Sequence, residues 1–148
     1  MKKLRIFLLV LIMLFIVIQF IPSGLPENEP EDEQSITQSG LIAEPVLDQL
    51  KKSCFDCHSN QIQFPWYAKI APSSWLLSNH IAEGKAHLNF SEWETYSQRE
   101  KVGLLQGIKD EVESGKMPLI SYLLMHRDAR LSPGNISSLS EWTEEAAG

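Results

Sequence analysis

The sequence predicts a mainly α protein: an N-terminal apolar helix, a polar connector and a domain of short helices. Three observations carry that expectation. Beyond residue 45, apolar residues recur three and four positions apart, with no strand-like alternation. Ser91 with Glu94, and Ser97 with Glu100, have the spacing of capping boxes ahead of such stripes. Finally, the longest apolar run follows a short basic start, Lys2, Lys3 and Arg5. A chain of 148 residues holds one domain with accessory segments.

Residues 1–21 read as a membrane anchor or signal segment. The apolar run from Ile6 to Ile21 is interrupted only by Gln19, and counted from Leu4 it is 18 residues long, roughly 27 Å of helix at about 1.5 Å per residue. That length suits a single pass across a hydrocarbon layer with snorkelling flanks. Only Ser23 and Gly24 beside Pro22 resemble a cleavage site, and no Ala-x-Ala occurs, so an uncleaved anchor is favoured over a removed signal. The basic start stays cytoplasmic, which puts the remainder on the periplasmic side of the inner membrane. Residues 22–44 carry six acids and no base among Pro, Gly and Ser, the composition of an acidic disordered linker. Residues 45–148 form the folded domain. The net charge of −6 argues against nucleic acid as a partner, because phosphate binding needs a basic surface.

Within 45–148 the expected helices follow in order. The first begins at Pro45 and turns Leu47, Leu50 and Cys54 to one side. After it, NQIQFPWYAKIAP reads as a Pro- and aromatic-containing loop. Ser73 or Ser74 starts a second helix that Gly84 should close, and Ser97 opens a third with Leu105, Ile108 and Val112 inward. Gly115 is placed to end that third helix, with Pro118 preventing its continuation. Ser132-Pro133 starts a last helix whose stripe is Ile136, Leu139 and Trp142.

The chemistry concentrates in SCFDCHS, which holds the only two cysteines, Cys54 and Cys57, and then His58. An exported protein ordinarily spends cysteines on disulfides, but a bridge this short removes little chain entropy. A redox dithiol should follow a strand in a βαβ pattern, which is lacking, and zinc asks for a second paired motif. Covalent haem fits instead. Thiols at i and i+3 share one face of a helical turn and can add across the two vinyl groups of a porphyrin. The next residue, His58, then offers its imidazole to the iron. The cofactor expected is one covalent haem c with its iron.

A second iron ligand is sought among Met117, Met125, His80, His87 and His126. Met117 is preferred. It lies just past the end of the third helix, and Pro118 biases it toward extended backbone, where a thioether can face iron. His80 is the runner-up, although a histidine on a helix stripe is more often a hydrogen-bonded structural residue. Met125 is expected in the core, and His87 and His126 at the surface. Trp66, Tyr67, Trp75 and Trp93 are candidates for lining a haem pocket, Trp66 and Tyr67 being taken as cofactor-binding.

These residues together resemble a small haem-binding domain family of exported bacterial proteins. The resemblance is carried by CFDCHSNQIQFPWYAKIAPSSWLLSNHIAEGKAHLNFSEW and by GKMPLISYLLMH with the following LS. It covers 45–148, with a final segment more Ser-rich than the pattern. It implies a plan similar to class I cytochrome c: a bundle of short helices around a covalently bound haem, with thioethers from Cys54 and Cys57, proximal His58 and distal Met117. The function expected is a membrane-tethered periplasmic c-type cytochrome that transfers single electrons to redox partner proteins of the respiratory chain and is not itself an enzyme. A haem-based sensor, a peroxidase-like enzyme and a structural haem subunit of a larger respiratory complex are the competing readings. The oligomeric state is not legible.

Overall fold

Seven α-helices account for most of the regular structure in the computed structural model, which describes residues 1–40 and 42–148, and among these residues there is no strand. In order they are α1 (Lys2–Ile18), α2 (Glu44–Ser53), α3 (Phe55–His58), α4 (Ser73–His87), α5 (Gln98–Glu113), α6 (Ile120–Leu123) and α7 (Pro133–Ala147). Short 3-10 turns at Ile36–Gln38, Trp66–Lys69, Phe90–Thr95 and Arg127–Ala129 complete the connections. The mainly α expectation is met.

The core forms where the apolar stripes converge. α5 contributes Leu105 and Val112, α7 contributes Leu139 and Trp142, and α2 contributes Leu47 and Leu50. Phe55, Phe90 and Trp93 extend this cluster toward the cysteine motif, Phe55 stacking on Phe90 with ring centroids 5.2 Å apart. Burying each such side chain contributes about 1.5–3 kcal/mol. α5 is fixed at its start by the predicted box: Ser97 Oγ accepts from the Glu100 N–H at 3.4 Å, and the Glu100 carboxylate accepts from the Ser97 N–H at 2.8 Å. It ends as expected at Gly115, whose φ of +70° is in the left-handed region that favours glycine. Ser132 and Asn135 make a second reciprocal box at the head of α7.

Two local expectations are overturned. Ser91 and Glu94 do not form a box; Asn89 caps the turn there, its Oδ1 accepting from the Ser91 N–H at 3.1 Å. The Ser91 hydroxyl instead accepts from the Asn60 N–H at 2.9 Å, just behind the motif. Gly84 does not stop α4, which continues to His87. A Cβ on Gly84 would lie 2.5 Å from the Cys57 carbonyl oxygen, so this glycine is required by close approach of two backbones rather than by a helix end.

The N-terminal segments also differ from expectation. α1 closes at Ile18, and no helix among the described residues is long and apolar enough to cross a membrane. The single-pass span expected over 4–21 therefore finds no support, and what stands there is a shorter apolar helix of 17 residues with no buried residue. Past Ile18 the backbone tightens into turns, the Gln19, Phe20 and Ile21 N–H groups donating three residues back, and Pro22 blocks further helix. The Gln19 side chain joins this end to the domain: Nε2 donates to the Phe15 and Ala71 carbonyls at 2.9 and 3.2 Å, and Oε1 accepts from the Ala71 N–H at 2.9 Å. Nor does 22–44 behave as a free linker. Asn28 pairs both ways with Ile62, at 2.8 and 3.0 Å. The Gln34 carbonyl accepts from the Glu94 N–H at 2.9 Å. Ile36 is buried in the main core. Composition conveyed the solvated acids but not these few anchoring groups.

Candidate functional site

The two cysteines are set by the junction of α2 and α3. α2 ends at Ser53, whose hydroxyl donates to the Ala129 carbonyl at 2.7 Å, and Cys54 breaks the helix with φ −127° and ψ −39°. The chain then makes a new turn on the Cys54 carbonyl, which accepts from the Cys57 and His58 N–H groups at 3.1 and 3.0 Å. Both thiols are free. Burial, with the neighbouring Cys57, pushes the Cys54 thiol up to about 12; burial and the Asp56 charge push Cys57 up to about 11. A redox dithiol needs the opposite shift, a lowered thiol pKa, so the electrostatics here speak against that chemistry.

His58 is held by a backbone carbonyl. Its Nδ1 lies 3.1 Å from the Leu88 carbonyl oxygen. A carbonyl only accepts, so Nδ1 carries the hydrogen and Nε2 keeps its lone pair. Burial lowers the imidazole pKa, outweighing the Leu88 and Gly84 carbonyls that favour its proton. Phe90 supports the ring edge-on, with centroids 6.4 Å apart. The imidazole is thus neutral near pH 7 and oriented by its backbone bond, as a metal-ligating histidine usually is.

Asp56, between the cysteines, ties the motif to two other segments. Its Oδ1 accepts from the Gln63 N–H at 2.9 Å and its Oδ2 from the Tyr122 hydroxyl at 2.8 Å. Tyr122 stacks on His126 at 4.2 Å, and His126 meets Tyr67 edge-on at 6.3 Å. The hydroxyls of Tyr67 and Tyr122 are both pushed up, first by burial and then by Asp56 and Cys57. Sequence reasoning placed Tyr67 here but missed Tyr122, which is 66 positions from Asp56 and carries no local signal.

The other candidates are distributed as follows. Met117 is half-buried four residues past the end of α5, its N–H donating to the Glu111 carbonyl at 3.2 Å, with Pro118 buried beyond a cis peptide bond. Trp66 meets Tyr67 edge-on at 5.8 Å but is 73% exposed. Trp93 is spent in the core. Trp75 keeps its indole N–H buried with no partner, as does Trp142. His80 is half-buried on α4, on the side where Leu76 is exposed. His87 is exposed, and Met125, expected in the core, is 56% exposed.

These residues fit a haem. Two uncharged thiols and a neutral, oriented imidazole share one turn, and phenols flank it. Exposed Trp66, Ile120, Leu124 and Met125 lie on the elements carrying those phenols or directly beside them, and offer apolar surface to a large disc. Among the described residues no group of three His, Cys, Asp or Glu stands together as a metal site. Compared with known families, the haem-binding domain matches residues 13–145. The chain belongs to the haem-binding domain family. The match begins inside α1 and runs through 22–44, in keeping with the docking of that segment on the domain. Among curated proteins and solved structures, none matches.

Proposed function

We propose that this haem-binding domain is a c-type, one-electron carrier on the exported side of a membrane, with one haem attached through Cys54 and Cys57. The observation that carries the reading is the Nδ1 contact of His58 with Leu88 on the same turn as both thiols. It leaves Nε2 free to bind iron in the position where thioether bonds would fix the ring. Bound haem supplies reversible one-electron redox chemistry. The protein supplies the rest: His58 as a rigid proximal ligand, Met117 as a soft distal thioether, and an aromatic wall that limits water. The close contact of Gly84 with Cys57, and the anchoring of Asp56, keep this turn from moving, which suits a carrier that must change charge with little rearrangement. α1, with no buried side chain and three basic residues at its start, supports attachment to a membrane, and redox proteins of a respiratory chain are the partners proposed.

Expression with c-type maturation machinery, followed by intact mass after denaturation, tests attachment. One haem of added mass is expected, lost when Cys54 and Cys57 are both changed to Ser. Haem that dissociates on denaturation overturns the covalent reading. For the carrier role, the oxidised protein should show the weak near-red sulfur-to-iron band, absent in Met117→Ala. High-spin iron that binds carbon monoxide in the unaltered protein would favour a sensor or enzyme instead.

A further inference from the structure

The bond between Tyr122 and Asp56 joins two parts of the chain that distal ligation must keep in register. Asp56 belongs to the attachment turn itself, between the two thiols. Tyr122 belongs to α6, five residues beyond Met117. Both oxygens of Asp56 are engaged, one by the Gln63 N–H and one by the Tyr122 hydroxyl, at 2.9 and 2.8 Å. The same hydroxyl lies 3.4 Å from the Lys52 carbonyl, at the end of α2. α6 is only four residues long and has no buried residue, so apolar burial contributes little to its position. The stack of Tyr122 on His126 is internal to this segment, whereas the hydroxyl reaches across to Asp56 and Lys52.

We propose that Tyr122 is a positioning residue, its hydroxyl latching the Met117 segment to the attachment turn through Asp56 so that the thioether stays on the iron. The proposal rests on Met117 being the distal ligand. A hydrogen bond to a carboxylate is among the stronger ones a side chain makes. Removing it frees the segment without touching either thioether or His58. The distal position then opens more often, and a small exogenous ligand competes for the iron more successfully.

The test uses the full-length, haem-loaded protein with imidazole as the competing ligand. Tyr122→Phe keeps the ring and its stack but removes the hydroxyl. The expected result is unchanged haem mass after denaturation, a weakened near-red sulfur band, and ferric imidazole affinity raised about tenfold, the factor that about 1.4 kcal/mol gives. Asp56→Asn keeps the shape of the acceptor but removes its charge, and should move affinity in the same direction by less. It serves as the second variant if Tyr122→Phe matures poorly. Leu139→Ala, a remote core change, should lower thermal stability yet leave imidazole affinity as it was, which separates positioning from general loosening. A normal sulfur band and unchanged imidazole affinity in both Tyr122→Phe and Asp56→Asn overturn the latch while leaving Met117 ligation intact. Retention of the band in Met117→Ala overturns the ligand assignment, and the latch with it.

Discussion

The α5–α7 half of the domain and the half formed by α3, α4 and α6 hold together by different means. α5 and α7 bury Leu105, Val112, Leu139 and Trp142 against α2, and each helix begins with a reciprocal capping box. On the other side the elements are short, and Ile120, Leu124 and Trp66 stay at the surface. There the joints are polar: Asp56 with Tyr122 and Gln63, His58 with Leu88, Asn60 with Ser91. The first half is held by apolar burial. The second shares that core through Phe55 and Phe90 and adds a polar frame around thiols and an imidazole, with apolar surface left over for a large flat cofactor. The difference teaches that changes in the core and changes in the polar frame should be separable in their effects.

The largest expected effect lies in the first half. Leu139→Ala should lower unfolding free energy by about 2–5 kcal/mol, equally in haem-loaded and haem-free protein. Chemical denaturation of the two forms checks this, and a loss confined to one form would break the division. A smaller effect is expected where the second half is tightest. Gly84→Ala must push α4 away from the Cys57 backbone, at about 1–3 kcal/mol, and should also lower the yield of attached haem, read by mass. An unaltered yield would mean that the close approach does not shape the attachment turn. Ser132→Ala removes the α7 cap and should cost about 1 kcal/mol with no change in haem yield.

Burial favours the protonated thiols of Cys54 and Cys57. Above the ordinary thiol value near 9, the unfolded chain loses these protons first, so the folded state binds more protons than the unfolded one. Stability should therefore fall as pH rises from 9 toward 11 in haem-free protein. The same titration of the Cys54→Ser, Cys57→Ser variant should show a shallower decline. Equal slopes would place the thiols in water rather than in the frame.

The sequence made the helical half legible in detail. Stripes at Leu105 and Val112, at Leu139 and Trp142, and at Leu47 and Leu50 all turned out to be buried, because a helix repeats its facing positions every three to four residues. Ser97, Ser132 and Gly115 marked boundaries by bonds or dihedrals formed within a few residues. C-x-x-C-H was equally readable, its geometry being that of one turn. Gly84 was misread as a stop because nothing nearby in sequence reports that Cys57 lies against it. Gln19 and Asn28 were passed over for the same reason: their partners, Ala71 and Ile62, are 52 and 34 residues away.

By itself, then, the sequence determined the helical class, the core stripes, the caps and the thiol–thiol–imidazole turn, since each depends on interactions within about four residues. Tertiary structure alone decided that Gln19 meets the Ala71 backbone, that Asn28, Gln34 and Ile36 dock on the domain, that Leu88 orients His58, and that Tyr122 reaches Asp56. Those outcomes depend on which distant backbone or carboxylate a polar side chain meets, and local periodicity carries no record of that.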